Sequence, residues 1–298
     1  MTTDEYLNEV LSLQNLKEDS SELKDLRRHR DDVEKLLRDK FSESNPTIRY
    51  GGSKAKGTLI RESYDLDLIC YFKHDDTAAG ESLADIYNNV ADALGDKYEV
   101  ERKNSSIRIL NKDRKAPNRD FHVDVVPGRY VDESEADCYI HQENADKARL
   151  KTNLDVHIKH VKDSGVIDAV RLLKLWKVRK AIRLKQFVWE LIVINLLKSK
   201  RSSSLEKELE HVWTSIRDVS EPITIEDPAN PSGNDLSGVV EEIWPTLVSL
   251  SRSTLETIEY SGWEAVFGPV KRAESSARTA ALIGAAAAAP VKTGQWAG

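Results

Sequence analysis

GGSKAKGTLIRESYDLDLI, running from Gly51 to Ile69, sets a glycine-serine turn ahead of two aspartates separated by a single leucine. The continuation through Phe72, YDLDLICYF, alternates polar and apolar residues and then becomes wholly apolar, which is the pattern of a strand entering a core. Successive side chains on a strand face opposite ways. Asp65 and Asp67 therefore share one face, and Leu66, Leu68 and Cys70 share the other. Two carboxylates on one face repel unless both reach water or a divalent cation neutralises them. Hard oxygen donors suit Mg²⁺ or Mn²⁺. Taken alone, the Asp-x-Asp spacing leaves both readings open, and a water-facing strand is the simpler one.

A second segment, FHVDVVPG, puts Phe121, Val123 and Val125 on one face and His122 and Asp124 on the other. A third carboxylate thus projects from a second buried strand, which Pro127 and Gly128 are expected to end. Three carboxylates from two strands can hold two metals roughly 3.5 to 4 Å apart, a geometry suited to phosphoryl displacement. Upstream, GGS and KGT give a turn whose bare backbone can approach phosphate oxygens, with the Ser53 hydroxyl beside it. The spacing does not fit G-x-x-x-x-G-K-[ST], so this is not a P-loop.

Around these strands, residues 20 to 41 show helical spacing through Leu23, Leu26, Val33, Leu37 and Phe41, with Ser20 or Ser21 as cap. Residues 81 to 94 do the same, and Gly95 is expected to stop that helix. YEVER and SSIRIL read as two further extended pieces. From about Asn144 the pattern turns helical, beginning with Leu150, Leu154, Ile158 and Val161. VIDAVRLLKLWKVRKAI, QFVWELIVINLLK, SLEKELEHVWTSI, DLSGVVEEIWPTLVSL and RSTLETIEYSGWEAVFG follow as helical segments. IEDPANPSGNDLSG, between the third and fourth, reads as an irregular loop. The alanine-rich end reads as a flexible tail. A chain of 298 residues predicts two packed units. We divide it at 1–143, 144–275 and a tail at 276–298.

Composition narrows the class. A net charge of −6 disfavours general polyanion binding, leaving only local basic stretches such as RHR and KVRKAIRLK. Two cysteines, Cys70 and Cys138, are too few for a disulfide framework, and Cys70, inside an apolar run, reads as a small buried thiol. No apolar run approaches the roughly 20 residues that cross a bilayer, and the acidic start MTTDEYLNEV is unlike a signal segment. A cytoplasmic protein is the expectation.

On the helix expected from Val166 to Ala181, Ile167, Val170, Val178 and Ala181 form a stripe that includes Lys174. Its ammonium either snorkels to the surface or faces a cleft, where it can neutralise a triphosphate. Gln186 and Phe187 open the next helix, where free amides favour phosphate. Phe187 either stacks on a base or is ordinary core.

With these residues in hand, the chain resembles the DNA-polymerase-β-like nucleotidyltransferase superfamily in the order and spacing of GGSKAKGT, YDLDLI and FHVDVVPG. LLKLWK, QFVWELIVINLL, DPANPSGN and GWEAVFG are similar to segments of its 2′-5′ oligoadenylate synthetase and cyclic GMP-AMP synthase branch, and to the bacterial CD-NTases of anti-phage defence. The likeness runs from about residue 20 to 270. It implies an α/β core with a mixed sheet, packed against an all-helical C-terminal domain with a central cleft. It further implies Asp65, Asp67 and Asp124 as ligands of two Mg²⁺ ions, with Asp124 also placed to activate the attacking hydroxyl. Gly52 and Ser53 would hold the donor's terminal phosphates, Lys174 and Gln186 would contact the triphosphate, and Phe187 would stack on a base. Asn234 would read a base edge, and Arg108, between the acidic strands, either faces the cleft or lies exposed.

The activity implied joins NTPs, ATP among them, into a cyclic di- or trinucleotide with release of pyrophosphate. Alternatives are linear oligoadenylate synthesis, terminal addition to RNA, or a catalytically silent nucleotide-binding subunit. The absence of a Cys/His cluster and the acidic balance argue against a stable nucleic-acid partner. Chains of this kind that sit beside ubiquitin-like conjugation enzymes are joined through a flexible C-terminus ending in a small residue. KTGQWAG therefore presents Gly298 as a candidate acceptor, with an untethered tail as the alternative.

Overall fold

The computed structural model describes residues 1–17, 19–113, 115, 123–143, 148–219 and 221–270. Phe121, His122, Asn144 and the tail with Gly298 lie outside the described residues. The chain opens with α1 (Thr3–Leu13), closed at its start by reciprocal Thr2 and Glu5 caps. The long helix α2 (Ser21–Lys40) follows, its Ser20 hydroxyl accepting from the Leu23 amide. Next come β1 (Thr47–Tyr50), the short α3 (Gly52–Lys56) and β2 (Leu66–Phe72). α4 (Leu83–Gly95) leads into β3 (Glu99–Arg102), β4 (Ile107–Leu110), β5 (Val123–Tyr130), β6 (Cys138–His141) and β7 (Arg149–Thr152). The helices α5 (Leu154–Lys162), α6 (Ile167–Arg179), α7 (Gln186–Leu197), α8 (Leu205–Asp218), α9 (Ser237–Ser261) and α10 (Glu264–Phe267) complete it.

The strands form a mixed sheet in the order β1-β2-β5-β4-β3, with β6 added to β5 and β7 to β6. Among the described strands only β2 and β5 run parallel, and α4 with the β3–β4 hairpin makes the crossover that parallel pairing requires. The two-residue alternation sorts the sheet's faces. Leu66, Leu68, Cys70, Phe72, Val123 and Val125 enter the core under α2 and α4. Ile69 and Tyr71 pack on the opposite face with Tyr130, Cys138 and Ile140. Cys70 and Cys138 are both buried and unbridged.

Pro127 and Gly128 do not end β5. The strand continues to Tyr130 because its free edge changes partner there: β4 pairs as far as Val125, and β6 takes over from Gly128. Pro127 falls in that gap, where its missing N–H removes no rung. Gly128 allows the close approach of β6, since a Cβ there would stand 2.9 Å from the Tyr139 carbonyl.

The helical stretch also begins later than the spacing predicts. Leu150 lies in β7, and the Asn153 side chain caps α5 by accepting from the Val156 amide. Gly95 is the last residue of α4 and not its stop. α1 was not among the predicted elements, yet Tyr6, Leu7, Val10 and Leu11 fill the helical core, and Tyr6 Oη donates to the Gly268 carbonyl at 2.7 Å. By its contacts the first helix belongs with the last ones. α6 is buried nearly all round and carries no single apolar stripe. It ends before Ala181, which sits at φ 52°. The last two predicted helical segments join across Ser251 into α9, which stops at Gly262 and leaves GWEAVFG to form α10; along α9, Thr254 accepts from Trp176 Nε1 at 2.9 Å. Around that bond Trp176 stacks on Trp189 and meets Trp213 at a tilt, each with centroids 5.8 Å apart, and Trp263 joins Trp213 at 5.7 Å.

Candidate active site

The parallel register puts Asp67 beside Asp124, and the antiparallel register puts Arg108 beside Asp124. One row across the sheet therefore reads carboxylate, carboxylate, guanidinium, on the face turned away from α2 and α4. Arg108 forks onto Asp124, with Nε at 2.8 Å from one oxygen and a terminal nitrogen at 3.1 Å from the other. Lys103 Nζ adds a contact at 3.1 Å, and Arg108 also reaches Asp65 at 3.7 Å. Arg108 is thus held against the acidic row by its carboxylate partners and is not itself part of the cleft lining.

Among the described residues, none places a counter-charge in contact with Asp67. Burial, followed by repulsion from Asp124 and Asp65, pushes its pKa up to about 6, and Lys56 and Lys174 only partly offset this. Among the described residues no trio of His, Cys, Asp or Glu is closed to metal-holding distance as it stands. The donor set nevertheless fits a divalent cation: hard carboxylate oxygens stand side by side on two adjacent strands, and their repulsion adds to the burial that raises Asp67. The bonds from Arg108 and Lys103 hold Asp124 in the meantime.

The glycine turn is built against this acid. Gly51 N donates to the Asp67 carbonyl at 2.7 Å. Gly52 stands at φ 47°, and a Cβ on it would overlap the Asp67 carboxylate. Ser53, in the first turn of α3, is buried beside it.

These groups line a cleft of about 670 Å³ between the sheet and the helices, large enough for an extended polar ligand. Gly52, Ser53, Asp65, Asp67, Asp124, Lys174, Gln186 and Phe187 all face it. The Gln186 amide has both its nitrogen and its oxygen buried without a hydrogen-bond partner, so the start of α7 offers a donor and an acceptor to a ligand. Phe187 packs against His157, ring centroids 4.6 Å apart. Asn234 stands outside the cleft lining. Its amide donates to Asp227 at 2.7 Å, and Asp227 in turn holds His157 at 2.7 Å. The proline-rich loop therefore steadies the ring behind Phe187.

Sequence reasoning did not single out Lys56, Lys103, Lys177 or His157, all of which line the cleft. Lys174 is 3 % exposed, and burial pushes its pKa down to about 8, with Glu190 and Asp65 opposing the shift. Lys177 is lowered by burial as well. The ammonium of Lys174 is thus present below pH ~8 and lost above it. Affinity for a polyanionic ligand should weaken as pH rises through that value, and Lys174→Arg should remove this limb because guanidinium stays charged. Titrating ligand affinity from pH 6.5 to 9.5 in both proteins checks it. The stability linkage has the depressed sign: the lysine's contribution is present above its unfolded pKa and lost as pH falls through about 8.

No protein-family model and no curated protein sequence matches the chain. Solved structures do. The Escherichia coli MS115-1 CdnC structure with ATP superposes with a TM-score of 0.68 at 19 % identity, covering 91 % of this chain and 99 % of that one. A complex of the same CdnC with HORMA-deltaN gives 0.66 at 18 %, covering 91 % and 98 %. The Elizabethkingia meningoseptica CdnE cyclic dinucleotide synthase, with GTP and Apcpp, gives 0.60 at 15 %, covering 87 % and 100 %. At these identities the likeness establishes the fold: the mixed α/β sheet with a helix-rich second lobe that those structures share.

Proposed function

We propose that this chain, which has the fold of the bacterial CD-NTases, is a nucleotidyltransferase that joins NTPs into a cyclic di- or trinucleotide second messenger for anti-phage defence of the CBASS type. The observation that carries the reading is the Asp67–Asp124 row, with Asp65 before it, facing a cleft whose other walls hold a glycine-serine turn, buried lysines and an unpartnered glutamine.

Asp65, Asp67 and Asp124 would hold two Mg²⁺ ions, with Mn²⁺ as a substitute, and these would supply charge neutralisation at the reacting phosphate and the departing pyrophosphate. The chain's own residues do the positioning. Gly52 and Ser53 bring backbone and hydroxyl against the donor's terminal phosphates. Lys174 and Lys177 offset triphosphate charge, Gln186 fills its empty hydrogen-bonding capacity on the donor, and Phe187 stacks on a base. An Asp124 oxygen accepts the proton of a ribose hydroxyl as that oxygen bonds to the α-phosphorus of a second NTP. The bond to the leaving pyrophosphate then breaks. A repeat of the step from the free end closes the ring.

Likeness to CdnC supports a HORMA-domain protein as a partner. The resemblance of the C-terminal sequence alone supports conjugation of Gly298 by a ubiquitin-like system, which an adduct at Gly298 in mass spectra of cells carrying both components would reveal. No described helix is long and apolar enough to cross a membrane, in keeping with a cytoplasmic enzyme.

Incubation of the purified protein with Mg²⁺ and all four NTPs, followed by phosphatase, tests the activity. A phosphatase-resistant nucleotide product is expected. Products trimmed by phosphatase would indicate linear synthesis, extension of added RNA would indicate terminal transfer, and no product, alone or with a HORMA partner, would leave a silent binding subunit.

A further inference from the structure

One buried charge in the cleft wall faces away from the ligand space. Glu190 lies on α7, where Val188, Trp189, Leu191, Ile192 and Val193 around it are all buried and apolar, and it is itself 0 % exposed. Its two oxygens are both engaged from the other lobe. Lys56 Nζ, at the end of α3, donates to one at 2.7 Å, and Thr58 Oγ1 donates to the other at 2.7 Å. Lys56 and Thr58 are buried too. The same ammonium stands 5.4 Å from the centre of the Phe187 ring.

Stability does not account for this arrangement. Desolvating a carboxylate and an ammonium offsets most of what their attraction returns, so a well-packed apolar pair would hold the lobes together equally well. What the pair adds is direction. An apolar contact slides, whereas two hydrogen bonds from a strand-linked turn to one carboxylate fix distance and orientation together. α3 carries Gly52 and Ser53, and α7 begins with Gln186 and Phe187, one helical turn before Glu190.

We infer that Glu190 is a positioning residue: by holding Lys56 and Thr58 it sets the glycine-serine turn of one lobe at a fixed distance from the Gln186–Phe187 end of the other, so that one triphosphate nucleotide spans both. The inference rests on the nucleotidyltransferase reading. Glu190 also acts on the remaining cations. Its charge is the largest influence keeping Lys174 protonated against burial, ahead of Asp65 and Asp67, with Lys177 opposing. Lys56 is thereby committed to the frame, and Lys174 and Lys177 are left for the ligand.

A double-mutant cycle on the full chain tests this, using Glu190→Gln, Lys56→Met and the pair, with the α,β-methylene analogues of the four NTPs and Mg²⁺ in calorimetry. Glu190→Gln is expected to raise the Kd of the bound analogue about tenfold in a folded protein. In the Lys56→Met background the same change should add clearly less than tenfold, because the Lys56 route is already lost and only the influence of Glu190 on Lys174 remains. Unchanged Kd in folded Glu190→Gln, or effects that multiply independently, would overturn the inference while leaving the nucleotide site intact. Failure of the parent protein to bind any analogue would instead overturn the functional reading, and the inference with it. Should Glu190→Gln not fold, Lys56→Met/Glu190→Leu replaces the pair by apolar packing. Parental melting with about tenfold weaker binding supports the positioning role, and parental melting with parental binding rejects it.

Discussion

Replacing Asp65 and Asp67 together by asparagine is expected to lower product formation by about a thousandfold or more while leaving the fold intact. The two residues act as a unit, so either single change should cost nearly as much as both. The structure adds a stability signature that a merely disruptive substitution would lack. The Asp67 pKa in the folded chain is raised to about 6, well above its unfolded value of 3.8. A raised carboxylate contributes stability that is complete below the unfolded pKa and lost as pH rises through the folded pKa. In EDTA, the double asparagine variant should therefore melt higher than the parent at pH 7, and the two should converge near pH 4. Melting curves at the two pH values, together with an NTP assay, check both halves. Retained product formation in the variant would reject the carboxylate site.

Gly52→Ala is expected to produce the second-largest loss, on the order of a hundredfold in activity, because the new methyl group occupies the space of the Asp67 carboxylate and must move it. An alanine at φ 47° also costs about 1 to 2 kcal/mol in backbone strain. That corresponds to a fall in melting temperature of roughly 2 to 3 °C for a chain of this size. Gly57→Ala separates the two effects. Gly57 stands at φ 80° with open space where its Cβ would be, so alanine there is strained but touches nothing. It should melt lower and retain its activity. Equal activity losses in the two variants would mean that backbone strain, and not contact with Asp67, is responsible.

The faces of β2 and β5 were legible in the sequence because a period of two survives burial: Leu66 and Leu68 had to oppose Asp65 and Asp67, and Val123 and Val125 had to oppose Asp124. The continuation of β5 past Pro127 was not, since it depends on which neighbour lies alongside at that one residue. The β6 and β7 strands, four residues each, carry too few positions for a period to show, and β6 exists as a strand because β5 offers it an edge. Lys174 and Gln186 were reachable from their places on helices. Lys56 and Glu190 were not, because the bond that gives them meaning joins residues 134 apart in the chain. Asn234 was expected to reach a base because its loop resembles a family motif. Its hydrogen bond to Asp227 turns that loop toward supporting His157.

The tryptophans divide the molecule optically. The chain has six, and the five at positions 176, 189, 213, 244 and 263 all lie in the core that the helices share with α1. The cores on the two faces of the sheet contain tyrosine and phenylalanine but no indole. Of these five, none reports the sheet that carries the aspartates, whereas circular dichroism sees both lobes. Trp189 sits one turn beyond Gln186 on the same helix, so its emission gives a label-free view of events at the nucleotide end of α7. During denaturation, coincidence of the indole and dichroic curves would mark a single cooperative unit, and a lag between them would measure how independently the two halves of the chain come apart.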